Sequence, residues 1–447
     1  MDTQPLPDNS LARFGGPAHM AVGAAAPWLR DLRAGAAAHF AETGLPSPRD
    51  EAWKYTNLRP LAALDFAAPD DPPAGATVAI DHLPSLLPQS HGGHRVVFVN
   101  GRFAPDLSAV DNLPEGVEMA SLAALLRARP ESLAGQLGAI ANGANGAMLA
   151  LNTAMMGDGL VLRVKREHTV DLPIEVVYVT AASARPIAYH PRNIIVMEPG
   201  AHATLAEHHA SLDGGAYLTN GVTEIRIGAG ATLHHYKVQT ESDAAFHIAT
   251  LHAEVGRDGL YNGFALTRGG RLTRNEATVR LAAPGAEGRL NGVYMLRGEQ
   301  HCDTTTLIDH EAPHTSSREV FKGAIDDRAR GVFQGRIVVR PDAQKSDGHQ
   351  LSKALLLSDR AEIDAKPELE IYADDVKCSH GAAIGDLDRD ALFYLRARGI
   401  PEAEARHMLV EAFLADTIAE LAAERLCPAL MASVGHWLSD ALDRSEP

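Results

Sequence analysis

A chain of 447 residues, 45% of them hydrophobic, can bury a sizeable core, and we expect two or three domains or one elongated repeat fold. Its formal net charge of −16 argues against a general nucleic-acid surface, because binding to phosphates needs a basic face. Three scattered cysteines fit a reducing compartment, and neither a signal-peptide stretch in residues 1–20 nor a run of eighteen apolar residues occurs, so we expect a cytoplasmic protein without a membrane span.

The first part of the chain predicts a helix followed by a linker. Apolar residues recur at helical spacing over Pro27–Phe40, and Gly44 is suited to stop that helix. Beyond it, we expect Trp53 and Tyr55 to be packing anchors, since large aromatic side chains are usually buried. Prolines and a glycine recur over Asp65–Ala76, a composition typical of a linker.

The next part of the chain has a mixed pattern. Arg95–Val99, followed by Asn100 and Gly101, predicts a strand and a turn. Met119–Arg129 predicts a short helix that ends before Pro130.

Beyond Gly159 the sequence is a long succession of short apolar or alternating runs, with almost no helical pattern as far as Leu387. Strands are predicted at Leu160–Val164, Ile174–Val179, Ile194–Met197 and Thr223–Ile227. Glycines in the turns lie 26 to 30 residues apart, at Gly200, Gly230, Gly256 and Gly285. A repeat of this length predicts a β-solenoid whose coils stack on one another, and a pair of ordinary β-sandwich domains is the alternative.

From Asp388 the pattern is helical. Asp388 is suited to cap a first helix, Gly399 to end it and Pro401 to open a second, which we expect to stop at Pro428. The apolar stripe of this second helix consists of Ala405, Met408, Leu409, Ala412, Phe413, Ile418 and Leu421. A last helix is predicted over Ala429–Leu442.

Four regions follow from these patterns. Residues 1–90 form an N-terminal helical region with a linker, residues 91–158 a mixed α/β lead-in, residues 159–387 the solenoid core and residues 388–447 a C-terminal helical domain. The predicted fold is therefore mainly β, a β-solenoid with α-helical N-terminal and C-terminal regions.

Histidines are numerous, at 21, and most of them lie in the β region. Each by itself is more often a surface or hydrogen-bonded side chain, and neighbours such as His208 and His209 point to opposite faces of a strand. Only His310 and His314, in a loop with Pro313, rise above this background as candidate metal ligands. They leave open a stand-alone histidine-rich β-fold metalloenzyme.

A second candidate site lies near the end of the β region. If Lys377–Gly381 is a strand, Cys378 and His380 share one face, and a thiolate with an imidazole suits iron–sulfur and other soft-metal sites. The ammonium of Lys377 is expected to favour the thiolate. Two ligands cannot complete a tetrahedral site, so a second chain or a distant segment would have to finish it, and a purely structural cysteine remains the alternative.

Motifs of several catalytic classes are missing from the sequence. It contains no phosphate loop of the G-x-x-x-x-G-K-[ST] type, no G-x-S-x-G elbow and no dinucleotide fingerprint. A carbohydrate-active β-helix enzyme is one alternative, although an aromatic content of 5% is low for surfaces that stack on sugars. A large chain without such motifs is typical of a platform for partner proteins.

Several stretches together carry a family resemblance. They are Glu51–Thr56, Pro313–Gly323, Gly331–Ile337, Ala343–Lys345, Lys366–Ala383 and Leu392–Ile400. In them the chain resembles the SufB/SufD family, the scaffold subunits of the SUF iron–sulfur cluster assembly system, and the Lys-Cys-Ser-His-Gly stretch favours the SufD branch. The resemblance covers nearly the whole chain, most densely from His310 to Phe413.

The resemblance implies a right-handed parallel β-helix and a scaffold that is not itself catalytic and binds no nucleotide. A SufB-like paralogue would pair with the end of the β-helix, where Cys378 and His380 would hold a transient iron–sulfur cluster shared with that paralogue. A SufC-like ABC ATPase would dock on the C-terminal helices, in a region that includes Leu392, Phe393, Arg396, Met408, Leu409 and Phe413. In isolation, the exposed edge makes a homodimer the expected alternative assembly.

Overall fold

The computed structural model describes residues 10–16, 22–23, 26–69, 78, 83–87, 93–142, 146–181, 183–421 and 423–443. Residues 70–76 of the predicted linker and most of residues 1–20 lie outside this part of the chain. The described elements comprise a helical N-terminal region, a long run of strands and three C-terminal helices.

The N-terminal region contains the predicted helix. Helix α1 covers Pro27–Thr43 and ends at Gly44, whose φ of 66° is left-handed and suits glycine. The short helix α2 covers Arg59–Ala62. Between them Trp53 is buried beneath the Arg274 guanidinium, 4.0 Å from its ring centre, so its predicted anchoring role is confirmed, whereas Tyr55 is only half-buried.

Twenty strands form two sheets in the described residues. Their bounds are β1 Arg95–Val99, β2 Arg102–Phe103, β3 Val117–Ser121, β4 Leu160–Val164, β5 Ile174–Thr180, β6 Ile187–Tyr189, β7 Arg192–Met197, β8 His202–Ser211, β9 Tyr217–Ile227, β10 Thr232–Glu241, β11 Phe246–Val255, β12 Leu260–Gly269, β13 Leu272–Leu281, β14 Glu287–Leu296, β15 His301–His310, β16 Ser316–Ile325, β17 Arg330–Val339, β18 Asp347–Leu356, β19 Glu362–Ile371 and β20 Lys377–Gly385.

The strand order identifies a parallel β-solenoid. The first sheet runs β2-β1-β5-β8-β10-β12-β14-β16-β18-β20, and the second runs β19-β17-β15-β13-β11-β9-β7-β4-β3. From β8 onward the chain alternates between the sheets, and each strand pairs in parallel with the strand one coil away. The predicted solenoid is confirmed, and β1 and β3 of the lead-in extend its two sheets.

The repeat predicted from glycines corresponds to one corner of the coils. Gly200, Gly230 and Gly285 all have positive φ, and the Gly200 N–H donates to Ala229 O at 2.9 Å in the next coil. Gly256 lies in the corresponding turn, as predicted, although the residue with positive φ in that turn is Asp258. Later coils place His314 and Lys345 at left-handed positions in the same series of turns.

Three apolar clusters hold the layers together. The cluster inside the solenoid joins both sheets, with Leu205 and Leu233 from the first and Ile225 and Val255 from the second. The outer face of the second sheet is covered by the N-terminal helices, and that of the first by the C-terminal helices.

Two predictions in the lead-in need correction. The helix expected over Met119–Arg129 begins three residues later, as α3 Leu122–Ala128, because Val117–Ser121 pairs with β4 and the Ser121 hydroxyl caps the helix. Helix α4, Ala147–Met155, was not predicted. Residues 148–155 are all buried, so its sequence lacks the alternation of apolar and polar faces that marks a surface helix.

The C-terminal region contains α5 Arg389–Ala397, α6 Glu402–Leu421 and α7 Cys427–Asp443. The predicted cap is confirmed, since the Asp388 side chain accepts the N–H groups of Asp390 and Ala391. Pro428 does not stop α6 but lies in the first turn of α7. None of the helices among the residues described has the length and apolar character that crossing a bilayer requires.

The stripe predicted for α6 is partly wrong. Ala405 and Ile418 are buried as expected, but Met408 and Ala412 are exposed. The buried positions next to them are Val410 and Leu414.

Candidate functional site

The end of the solenoid is an open pair of strands. In the described part of the chain, β20 pairs with β18 alone and β19 pairs with β17 alone, so each sheet finishes with a free edge. Exposed apolar side chains mark this end: Ile371 is 42%, Tyr372 60% and Ile384 50% exposed. An open edge with apolar side chains is a surface on which another chain can pair.

Cys378 and His380 lie on β20, as the sequence predicted for a strand. They occupy alternate positions and therefore share a face, opposite Gly348 and Gln350 of β18. Cys378 is half-buried beside Val376 and Leu369, and His380 is exposed. The pair offers one sulfur and one nitrogen ligand, the latter open to solvent.

The prediction that Lys377 favours the thiolate of Cys378 is wrong. Burial raises the pKa of this thiol, the Asp347 carboxylate adds to the rise, and the Gly348 N–H opposes it. Alternation of side chains along the strand places Lys377 on the other face. A metal would therefore have to displace the thiol proton on binding.

The other predicted metal ligands, His310 and His314, have separate surroundings. His310 is buried at the end of β15, and its two ring nitrogens lie 2.8 Å from Thr315 Oγ1 and 2.9 Å from Ser317 Oγ. His314 is exposed at a corner of the solenoid with a φ of 60°. These contacts give His310 a structural role in bracing the turn between β15 and β16.

The residues predicted to bind an ATPase divide into two sets. Phe393 is 73% and Met408 43% exposed, and Arg396 is exposed and pairs with Glu402 at 3.1 Å. Leu392, Leu409 and Phe413 are half-buried. Of these, Leu409 and Phe413 pack against the sheet within the C-terminal apolar cluster.

Sequence reasoning missed a polar cluster inside the solenoid. The Glu207 carboxylate on β8 accepts from two imidazoles, His209 Nε2 at 2.5 Å and His235 Nε2 at 3.0 Å. Next to it, Lys237 donates to Asn275 Oδ1 at 2.7 Å and lies 2.8 Å from His247 Nε2. Glu207, His209, His235 and His247 are buried, whereas Lys237 and Asn275 are half-buried.

Electrostatic pairing sets the charge of this cluster. Burial alone would raise the pKa of Glu241, but the adjacent His247 holds it at about 2. Burial lowers the pKa of His247 to about 4, so this ring is neutral at physiological pH. Burial also lowers the pKa of Lys237. Neutral imidazole and ionised carboxylate are the forms that bind metal ions.

A weak signal in the sequence could have found the cluster. Polar residues occupy alternate positions at Glu207 and His209 and again at His235, Lys237 and Gln239, in line with the inward-facing Leu205 and Leu233. Alternate polar residues in the interior of a buried strand are unusual and require partners.

The three cysteines are free thiols, as predicted. Cys302 is buried, and Cys378 and Cys427 are half-buried. Burial raises the pKa of Cys302 to about 12, so this thiol is inert as a nucleophile or ligand at neutral pH. Cys378, on β20, is the one of the three that lies at the open end of the solenoid.

The fold and the end strand define a class of protein: a parallel β-solenoid whose open end strand carries a thiol and an imidazole on one face. The chain belongs to the SufBD family. Residues 178–413 match the profile described as "SUF system FeS cluster assembly, SufBD core domain", and residues 17–176 match "SufBD protein N-terminal region". The resemblance found in the sequence is thereby confirmed.

Curated relatives agree with this assignment over most of their length. The chain is similar to an iron–sulfur cluster assembly SufBD family protein of Synechocystis, at 34% identity over 88% of this chain and 87% of the relative. It is similar to the iron–sulfur cluster assembly protein SufD of Escherichia coli, at 31% identity over 89% and 90%. It is also similar to the chloroplastic protein ABCI7 of Arabidopsis thaliana, at 29% identity over 87% and 82%.

Proposed function

We propose that this chain is a SufD-like scaffold subunit that assembles iron–sulfur clusters in the cytoplasm together with a SufB-like paralogue and a SufC-like ABC ATPase. The observation that carries the proposal is the open end strand β20, with Cys378 and His380 on one face. The relatives named as iron–sulfur cluster assembly proteins support the same role.

In this role the cluster is cargo and not a resident cofactor. Cys378 and His380 supply two ligands, and the SufB-like paralogue supplies the others when it pairs with the free edges of β19 and β20. The half-buried thiol loses its proton only when a metal binds, because burial raises the pKa of Cys378. His310 and His314 are left out, since hydroxyl contacts occupy both nitrogens of His310.

The nucleotide chemistry belongs to the ATPase partner in this proposal. Phe393, Arg396 and Met408 form its docking surface with the half-buried Leu392, while Leu409 and Phe413 connect α6 to the sheet. Lys322 of β16 donates to Asp416 of α6 at 2.7 Å. Movement of the docked helices is thereby coupled to the solenoid.

Co-purification tests this function. The tagged chain is produced with its SufB-like and SufC-like partners, and iron and acid-labile sulfide are measured in the eluted complex. We expect all three proteins to elute together. Substitutions Cys378→Ala and His380→Ala should leave the complex intact and lower its cluster content by roughly tenfold or more, as loss of metal ligands does.

Matched substitutions elsewhere serve as controls. Cys427→Ala removes another half-buried thiol, and His436→Ala removes another exposed imidazole on α7. Neither should change the cluster content. Failure to capture the ATPase would overturn the proposed function, and normal cluster content in both β20 variants would overturn the assignment of the ligands.

A further inference from the structure

Three buried side chains meet at a corner inside the solenoid, far along the chain from β20. His209 lies on β8, and Glu241 and His247 flank the short turn between β10 and β11. They are 3%, 5% and 1% exposed. Each offers one potential ligand atom, and these atoms all lie within 4.8 Å of one another.

One polar atom of each of these side chains is buried without a hydrogen-bond partner in the described structure. The atoms are His209 Nδ1, Glu241 Oε2 and His247 Nδ1. Buried polar atoms are nearly always satisfied. Glu241 Oε2 and His247 Nδ1 lie 2.8 Å apart and can pair with each other, so His209 Nδ1 is the atom that needs an explanation. An ion bound among them would satisfy all three at once.

The opposite end of each side chain is held in place. His209 Nε2 lies 2.5 Å from Glu207 Oε1, Tyr217 OH donates to Glu241 Oε1 at 2.9 Å, and Lys237 Nζ lies 2.8 Å from His247 Nε2. The Glu207 carboxylate beside His209 and the Tyr217 hydroxyl beside Glu241 are outer contacts of the kind that orients metal ligands. The Lys237 ammonium instead makes His247 Nε2 an acceptor, so an ion at Nδ1 would have to displace the proton of that ring. The His209 ring that donates from Nε2 to Glu207 has a bare lone pair on Nδ1.

An ion pair inside the cluster does not account for the arrangement. His247 Nδ1 and Glu241 Oε2 lie 2.8 Å apart, close enough to pair. Even a formed pair would leave His209 Nδ1 without a partner.

The types of the three side chains favour one class of metal ion. Two imidazoles and one carboxylate bind Zn²⁺ in catalytic sites and Fe²⁺ in the two-histidine, one-carboxylate sites, with further positions open to water or an incoming ligand. Mg²⁺ and Ca²⁺ prefer oxygen ligands alone. We propose that His209, Glu241 and His247 form a second metal site that binds one divalent first-row transition ion, separate from the shared site on β20.

A route from solvent supports this assignment. A cleft of about 460 Å³ has Glu241 on its wall together with Asp213 and Asp243. Carboxylates at the mouth of a cleft raise the local concentration of cations. The Glu241 side chain itself is only 1% exposed, so an ion that enters from this cleft must pass the strand end on which Glu241 lies.

The test uses the full chain without any partner, in a Cys378→Ala, His380→Ala background that removes the end-strand ligands. Co²⁺ is added anaerobically and followed by visible absorption, and Zn²⁺ and Fe²⁺ binding are measured by equilibrium dialysis with elemental analysis. We expect one ion per chain. Each of His209→Gln, Glu241→Gln and His247→Gln should weaken binding by roughly tenfold or more.

The matched control is His208→Gln, which changes the neighbouring buried histidine on the other face of β8, where it contacts Thr240 Oγ1. The His208→Gln variant should bind the metal ion with the same affinity as the parent chain. Absence of one tightly bound ion in the parent chain would overturn the second site, even if some variants failed to fold. Equal weakening by His208→Gln and His209→Gln would overturn it as well. Because no partner is present, either result is independent of the proposed scaffold function.

Discussion

Buried carboxyl groups in this solenoid reach opposite charge states according to their neighbours. Burial alone would raise the pKa of Glu207 and Glu241, but adjacent histidines lower it in both. Glu319 on β16 is equally buried and has no such partner among the described residues. Burial therefore raises its pKa to about 7, against a weaker opposing effect of hydrogen bonds from Gln350 and Thr306.

This difference predicts that the contribution of Glu319 to the free energy of unfolding depends on pH. Its pKa is about 7 when folded and 4.5 when exposed, so its contribution is fully present below pH 4.5 and is lost as the pH rises through 7. At pH 8, Glu319→Gln should raise the free energy of unfolding by about 3 kcal/mol, and the gain should shrink toward pH 4.5. Urea denaturation at pH 8 and at pH 4.5 measures this gain. A gain of equal size at both would contradict the titration of Glu319.

At the scale of elements, one buried ion pair attaches the lead-in to the solenoid. Arg192 on β7 and Glu224 on β9 lie 2.6 Å apart and are 0% and 2% exposed in their side chains. Glu224 also accepts the N–H groups of Gly138, Ile140 and Ala141, and Arg192 donates to the carbonyl of Ala141 at 2.9 Å. The segment before α4 is therefore fixed by a single charged contact.

Removing one charge of this pair should be costly. Glu224→Gln leaves Arg192 buried without its counter-ion, and we expect a loss of about 3–5 kcal/mol in the free energy of unfolding. Arg163 and Glu198, 3.1 Å apart and about one-third exposed, are the matched pair, and Glu198→Gln should cost less than about 1 kcal/mol. Urea denaturation of the three proteins compares them. Similar losses in both variants would exclude the special role of the buried pair.

The elements that the sequence predicted well are those with a local signal. Strand β4 has the predicted bounds, Leu160–Val164, because glycine precedes it and apolar residues alternate within it. Helix α4 was not predicted because it is buried on all sides, so its sequence shows no helical alternation of apolar and polar residues. The interior polar cluster was not predicted for another reason. Glu207 contacts His235 of the next coil, and this contact exists only once the coils are stacked. That Cys378 and His380 share one face could be predicted because they lie two residues apart in one strand.

At the scale of the whole molecule, the two outer faces of the solenoid are covered and its far end is not. N-terminal helices cover the second sheet and C-terminal helices the first. The last strands, β19 and β20, keep free edges in the described structure and expose Ile371 and Ile384. The exposed isoleucines mark this end as a surface for another chain, which under the proposed function is the SufB-like paralogue.

This geometry predicts an exchange of partners at the open end. The isolated chain should form a homodimer through β19 and β20, and the SufB-like paralogue should replace one copy. Lysine on an edge strand opposes pairing, so Ile371→Lys with Ile384→Lys should give a monomer and abolish capture of the paralogue. Sedimentation velocity measures the first effect and pull-down the second. Leu212→Lys, at a 37% exposed position in the turn after β8, is the control and should change neither. A dimer that survives the double substitution would place the self-contact on another surface.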